Sequence, residues 1–188
     1  AEHNSVLRPL YELEKKGFIS LTICSPYLED IKNQFQLNTR MVVMTHSSNV
    51  TGEIFDVQEI GHYCKEHGVL LVVDAAQSAP HMKVDVAKLD ADFVVFSGHK
   101  LMASMGIGVL DGKEALLEQM PPFLSGGEMI EYVTRTGAAY AQLPHKFEAG
   151  TVNGGGAVSL AAALDYMDSI GMDNIVCKEQ ELTKYAFE

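Results

Sequence analysis

Three short runs that are apolar at every position, residues 41–44, 69–73 and 93–96, constrain this chain more than any other feature. A strand with one solvated face alternates apolar and polar residues. A run without alternation belongs to a strand covered on both faces, as in a parallel sheet between helices. Helical patterns fall between the runs. The clearest is Val57–Glu66, with Asp56 as N-cap, Glu59 at the capping-box position and Gly68 as the stop. A short turn around residues 85–89 precedes the third run, residues 106–110 read as a further strand, and residues 113–120 as a short helix. The expected architecture is α/β, a mostly parallel sheet flanked by helices.

The flanks are less regular. Val6, Leu7, Leu10 and Leu13 recur at helical spacing over residues 5–16, with Ser5 as N-cap, Gly17 as stop and Pro9 near the tolerant first turn. Residues 18–23 alternate as a strand, and residues 28–35 form a modest helix with Glu29 and Asp30 in its first turn. Residues 121–155 read mostly as loop, punctuated by Gly126-Gly127 and Gly154-Gly155-Gly156. A loop of that length inside a compact domain is more often functional than idle. An Ala-rich helix runs from Ala157 through Ile170, and another spans residues 174–187.

The chain's 188 residues make one domain, and a net charge of −11 opposes nucleic acid, whose phosphates require a basic stripe. No apolar run approaches the roughly 20 residues of a membrane helix, and no basic-then-apolar segment opens the chain. The expectation is a soluble, cytoplasmic protein. Cys24, Cys64 and Cys177 are odd in number and widely spaced, so they read as buried small hydrophobes rather than a disulfide or zinc set. A start at Ala1, with polar residues ahead of any complete element, suggests that the chain begins inside a larger protein.

Each apolar run gives way to polar residues: Thr45-His46-Ser47-Ser48-Asn49, then Asp74-Ala75-Ala76-Gln77, then Ser97-Gly98-His99-Lys100. In an open parallel sheet the carboxyl ends of the strands line the ligand crevice, so Asn49, Asp74 and Lys100, roughly 25 residues apart, converge there. Lys100 at a strand end is either a desolvated amine able to attack carbonyls, or a surface lysine paired with a carboxylate such as Asp74 or Asp92. Asp74 is either a strand-end cap or ion-pair member, or the partner of a basic nitrogen. A carboxylate opposite an amine suits a cofactor with a basic nitrogen at one end and an aldehyde at the other. Ser97-Gly98-His99 could hold an anion or be an ordinary turn, and the triple glycine before a helix could cradle a phosphate. No Walker-type P-loop, dinucleotide fingerprint or zinc-protease motif occurs, and His62 and His67 miss the spacing for one metal. No metal site is expected.

Val72-Val73-Asp74-Ala75-Ala76-Gln77-Ser78 followed by Ser97-Gly98-His99-Lys100 resembles the core of the class V aminotransferase family of pyridoxal-phosphate enzymes, most of all its cysteine desulfurase group. The resemblance runs from Glu2-His3-Asn4-Ser5 through Thr45 to Gly52 and on to Phe147-Glu148-Ala149-Gly150-Thr151-Val152-Asn153. It implies the large domain of fold type I, like that of aspartate aminotransferase, over residues 1–188 as a single but incomplete cofactor domain. A first strand and a small C-terminal domain would be missing.

The same resemblance implies roles. Lys100 would hold the cofactor pyridoxal 5′-phosphate as a Schiff base and serve as the catalytic base. Asp74 would pair with the pyridine nitrogen, Asn49 and Gln77 would orient the ring, and His3 would stack on its face. Ser97 and His99 would hold the phosphate, and Thr151 would reach the phosphate of a neighbouring subunit in a homodimer. The implied reaction is conversion of L-cysteine to L-alanine with enzyme-bound persulfide sulfur, passed to a sulfur-acceptor protein as in iron–sulfur cluster assembly. Selenocysteine lyase, epimerase or aminotransferase chemistry, or a silent dimerising fragment, are the alternatives. Departures are clear: Leu101-Met102-Ala103-Ser104-Met105 replaces the family's Gly- and Pro-containing loop after the lysine. The phosphate-binding Gly-Thr-Thr segment would precede Ala1. The persulfide-forming cysteine and the carboxylate-binding arginine match no residue of this chain.

Overall fold

The computed structural model describes residues 2–188. Its centre is a four-stranded sheet of β1 (Met41–Thr45), β2 (Leu70–Asp74), β3 (Phe93–Ser97) and β4 (Gly108–Gly112), in that spatial order. The first three are parallel and β4 returns antiparallel to β3. The registers Thr45 to Asp74 and Asp74 to Val95 bring the carboxyl ends of three strands level, which is what assembles the polar residues beyond them.

Helices lie on both sides, as the unbroken apolar runs require. On one face α2 (Leu28–Gln34), α3 (Val57–Glu66) and α4 (Val86–Leu89) pack Ile31, Ile60, Cys64 and Leu89 against Met44, Leu71, Val73 and Val94. Asp56 caps α3 by accepting from the Glu59 amide at 2.9 Å, as its sequence predicts, and Gly68 ends it at φ +64°. On the other face α6 (Gly154–Ile170) and α7 (Met172–Phe187) bring Leu160, Met167 and Ile175 to Leu101, Phe96 and Val109. This second layer covers the sheet less fully: Leu71 and Val73 are fully buried, whereas Leu70 and Val72, which alternate with them, are half-buried. Among the described residues no helix is long and apolar enough to cross a membrane.

Several elements differ from their sequence reading. α1 spans Asn4–Lys15 and is capped by His3, whose Nδ1 accepts from the Ser5 amide at 3.2 Å; Ser5 is already inside the helix. Residues 18–23 form no strand, because no neighbouring backbone completes a ladder with them. The fourth strand starts two residues later than expected, since Gly98 donates to the Ile107 carbonyl before regular pairing begins at Gly108. Within residues 121–155 lie a hairpin, β5 (Ile130–Val133) with β6 (Ala138–Tyr140), and a 3-10 turn His145–Phe147. The short α5 (Glu114–Gln119) is as expected within one residue at each end, while α6 begins three residues early, with Asn153 accepting from the Gly156 amide at 2.9 Å. Only Cys64 of the three cysteines is buried: Cys24 sits on the unpaired segment after α1, and Cys177 on the outer side of α7.

Candidate active site at the carboxyl edge of the sheet

The turn after β1 is built by its serines. Ser48 Oγ accepts from the Val50 and Thr51 amides, each at 3.2 Å, and the Ser48 amide donates to Glu53 O, which leaves Asn49 exposed at the tip. After β2, the half-buried Asp74 accepts from the Ala76 amide at 2.9 Å through Oδ1, the short-range turn expected of an aspartate at a strand end. That bond fixes the carboxylate and leaves its other oxygen available. Gln77 comes next in the same turn, half-buried.

After β3 the chain tightens into the 3-10 turn Gly98–Leu101. Leu101 is buried in the second core layer and anchors the turn, and Lys100 beside it is half-buried. Gly98 is required by packing: a Cβ there would lie 2.6 Å from the Ile107 side chain. The glycine is explained by the approach of the β4 strand. The loop that departs from the family pattern closes with Met102 in the left-handed region at φ 64°, its amide and that of Ala103 both donating to Gly98 O.

The surface-pair reading of Lys100 is not what forms. Asp92 is taken by Lys113 at 2.7 Å and by the Leu71 amide at 2.8 Å. Asp74 has no cation partner among the described residues, and Lys100 has no carboxylate. Nor do the side chains of Asn49, Gln77, Ser97, His99 or Thr151 hydrogen-bond to the described protein. The structure brings Asn49, Asp74, Gln77, Ser97, His99 and Lys100 to the same edge of the sheet. Thr151 is exposed on the segment before α6, whose Gly150 amide donates to Gly127 O and whose Asn153 donates to Gly106 O. His3 reaches the same edge through its neighbour Glu2, which accepts from the Thr45 amide at 3.0 Å.

Two groups here carry no assigned role in the sequence reading. His46 is buried at the end of β1 with Nδ1 unpartnered, and burial holds its pKa below the ordinary imidazole range. Glu2 has Oε2 buried and unpartnered; burial raises its pKa, against the lowering effect of the Thr45 amide. For His46 the signal was its place directly after an apolar run. Glu2 had none beyond preceding a helix. His62 and His67 are ordinary helix-face residues, His62 against Asp90 at 3.3 Å and His67 against Tyr63 O at 2.8 Å. No metal-binding cluster occurs among the described residues.

An acid without a cation, an amine without an acid and a ring of unpaired amide, hydroxyl and imidazole groups fit pyridoxal 5′-phosphate, which offers a basic ring nitrogen, a carbonyl carbon and a phosphate. A model of the "Aminotransferase class-V" family matches residues 1–188. A probable cysteine desulfurase of Halalkalibacterium halodurans is 42% identical over all of this chain and 48% of its own length. One from Streptomyces coelicolor is 49% identical over 85% of this chain and 38% of its own. Among solved structures, the apo form of a cysteine desulfurase from Thermococcus onnurineus superposes with a TM-score of 0.92 at 40% identity, over 98% of this chain and 48% of that one. An Escherichia coli cysteine desulfurase does so with a TM-score of 0.84 at 35% identity, over 92% and 45%. The chain thus spans about half the length of the relatives it matches.

Proposed function

The chain belongs to the aminotransferase class-V family, and from that premise we propose that it is the cofactor-binding part of a pyridoxal-phosphate enzyme that removes sulfur from L-cysteine and leaves L-alanine. The observation that carries the reading is the uncompensated pair, Asp74 without a cation and Lys100 without an acid, at the ends of adjacent strands. When bound, the cofactor supplies an electron sink for the bond broken at the substrate Cα.

The rest is the work of this chain's own residues. Asp74, fixed by the Ala76 amide, holds a proton on the ring nitrogen. Lys100 is the residue that would hold the cofactor, through Nζ, and its amine is the base that would take and return the proton at the substrate Cα. Its turn is anchored by buried Leu101, so the amine moves on a fixed base. Asn49 and Gln77 would orient the ring through hydrogen bonds, and His3 would offer its face a flat surface. Ser97 and His99 bind the phosphate, and Thr151 does so for the neighbouring subunit of a homodimer. The exposure of Thr151, Met105 and Phe123 supports that assembly. The nucleophile that takes the sulfur, the arginine for the substrate carboxylate and the sulfur-acceptor contacts belong to other parts of the whole protein. Three unpaired cysteines suit a reducing, cytoplasmic setting.

The test is turnover by the protein from its whole reading frame, supplied with pyridoxal phosphate and L-cysteine. With a thiol reductant such as dithiothreitol added in excess to release the enzyme-bound persulfide sulfur as sulfide, alanine and sulfide in equal amounts are expected. Amino transfer to an oxo acid, or racemisation without alanine, contradicts the desulfurase assignment.

A further inference from the structure

Of the three glycines that open α6, only the third is required by packing. A Cβ on the buried Gly156 would come 2.7 Å from Cγ of Asn153 and 2.9 Å from its Oδ1, whereas at Gly154 and Gly155 it would meet open space. Gly156 is the seat of the Asn153 side chain. Oδ1 there accepts from the Gly156 amide at 2.9 Å and caps the helix, which leaves Nδ2 to donate to Gly106 O at 3.0 Å.

Gly106 closes the loop that carries Lys100. The loop begins at Gly98, whose amide donates to Ile107 O at 2.9 Å, and it turns back at Gly106 with φ +84°, which a glycine adopts without strain. Its first half is bonded to itself, the Met102 and Ala103 amides donating to Gly98 O. The second half is held from outside. Among the described residues, the stretch 104–106 makes two hydrogen bonds, both to side chains of α6 and its cap: the Ser104 amide donates to Ser159 Oγ at 2.8 Å, and Gly106 O accepts from Asn153. No proline stiffens this stretch, and Met105 is 87% exposed, so neither a ring nor burial restrains it.

We propose that Asn153, seated over Gly156, is a positioning residue for Lys100: it closes the loop at Gly106 while Ser159 holds Ser104, and together they fix where the lysine amine stands, a role that rests on Lys100 being the base at the substrate Cα. A base must stay within hydrogen-bond reach of the proton it moves, and a displacement of about 1 Å can cost ~100-fold in rate. Loss of the tether therefore slows proton transfer and leaves substrate binding nearly untouched.

The variant that separates tether from cap is Asn153→Asp, in the protein from its whole reading frame. Aspartate accepts from the Gly156 amide as asparagine does, but it has no N–H for Gly106 O. In the protein without cofactor, amide hydrogen exchange by NMR is expected to be at least ~10-fold faster at Ala103 and Ser104, with Gly156 and Ala157 unchanged. With pyridoxal phosphate and L-cysteine, kcat for exchange of the Cα proton with deuterated solvent is expected to fall ~10-fold, while KM stays within ~2-fold and the midpoint of thermal unfolding within ~2 °C. Gly156→Ala displaces the same side chain, so it is expected to lower kcat as much, and the double variant no further. Unchanged amide exchange at Ala103 and Ser104 overturns the proposal, as does an unchanged kcat, a loss that appears in KM instead, or losses that add in the double variant. The Asn153→Asp result stands even if Gly156→Ala does not fold. A wild type that takes no cofactor at Lys100 overturns the reading beneath the proposal and the role with it, and shows this before any variant is made.

Discussion

Asp74 owes its position to one short bond, from the Ala76 amide to Oδ1, and its chemistry to the absence of any cation beside it among the described residues. On the proposed reading, replacing it with Ala in the whole protein removes the acid that would keep the ring nitrogen of the cofactor protonated. Cofactor attachment at Lys100 is expected to survive in part, while exchange of the substrate Cα proton with deuterated solvent falls by at least ~100-fold, read by NMR of the recovered amino acid. Unchanged exchange contradicts the assignment. His46 makes a separate prediction. Burial depresses its folded pKa below the ordinary imidazole value of 6.5, so the unfolded chain binds the proton more readily. The stability it contributes is therefore complete above pH 6.5 and is lost as pH falls below that value toward the folded pKa. Denaturation midpoints from about pH 8 to about pH 5.5 are expected to fall in the wild type and to fall less in His46→Asn. Equal slopes contradict it.

Among the elements, the turn that carries Lys100 holds a local strain. Met102 occupies the left-handed region at φ 64°, which costs a side chain about 1 kcal/mol, and it is 59% exposed, so little packing offsets that cost. Met102→Gly is expected to stabilise by about 1 kcal/mol, a rise of ~2–4 °C in the midpoint of thermal unfolding. A lower midpoint means that the methionine packs more usefully than its exposure suggests. The helices and strands that sequence patterning located well are those whose local chemistry and burial agree, such as α3 with its Asp56 cap and Gly68 stop. Those it missed depend on partners. The β5–β6 hairpin is short and mostly exposed, so its pattern carries little apolar signal. Residues 18–23 have a strand's alternation without a strand's neighbour, and His3 took the cap from Ser5 through a ring nitrogen that capping preferences rank low.

At the scale of the molecule, the order β1-β2-β3-β4 arises from three unbroken apolar runs with helices between them, which is why the carboxyl-edge cluster was legible in the amino-acid sequence. Asn49, Asp74, Gln77, Ser97, His99 and Lys100 each stand at or just past the end of a strand, so the topology alone gathers them. Thr151 is not gathered by it, because it lies on the exposed segment before α6 and not at a strand end, and Glu2 was invisible because its burial depends on the long-range bond to Thr45. The central claim is that Lys100, and no other lysine, holds pyridoxal phosphate. The most direct measurement is borohydride reduction of the whole protein after cofactor addition, followed by peptide mapping, in wild type and Lys100→Ala. A yellow adduct trapped at Lys100 alone, and absent from a variant that still folds, is the predicted result. Trapping spread over surface lysines, or an adduct that persists in Lys100→Ala, contradicts the account.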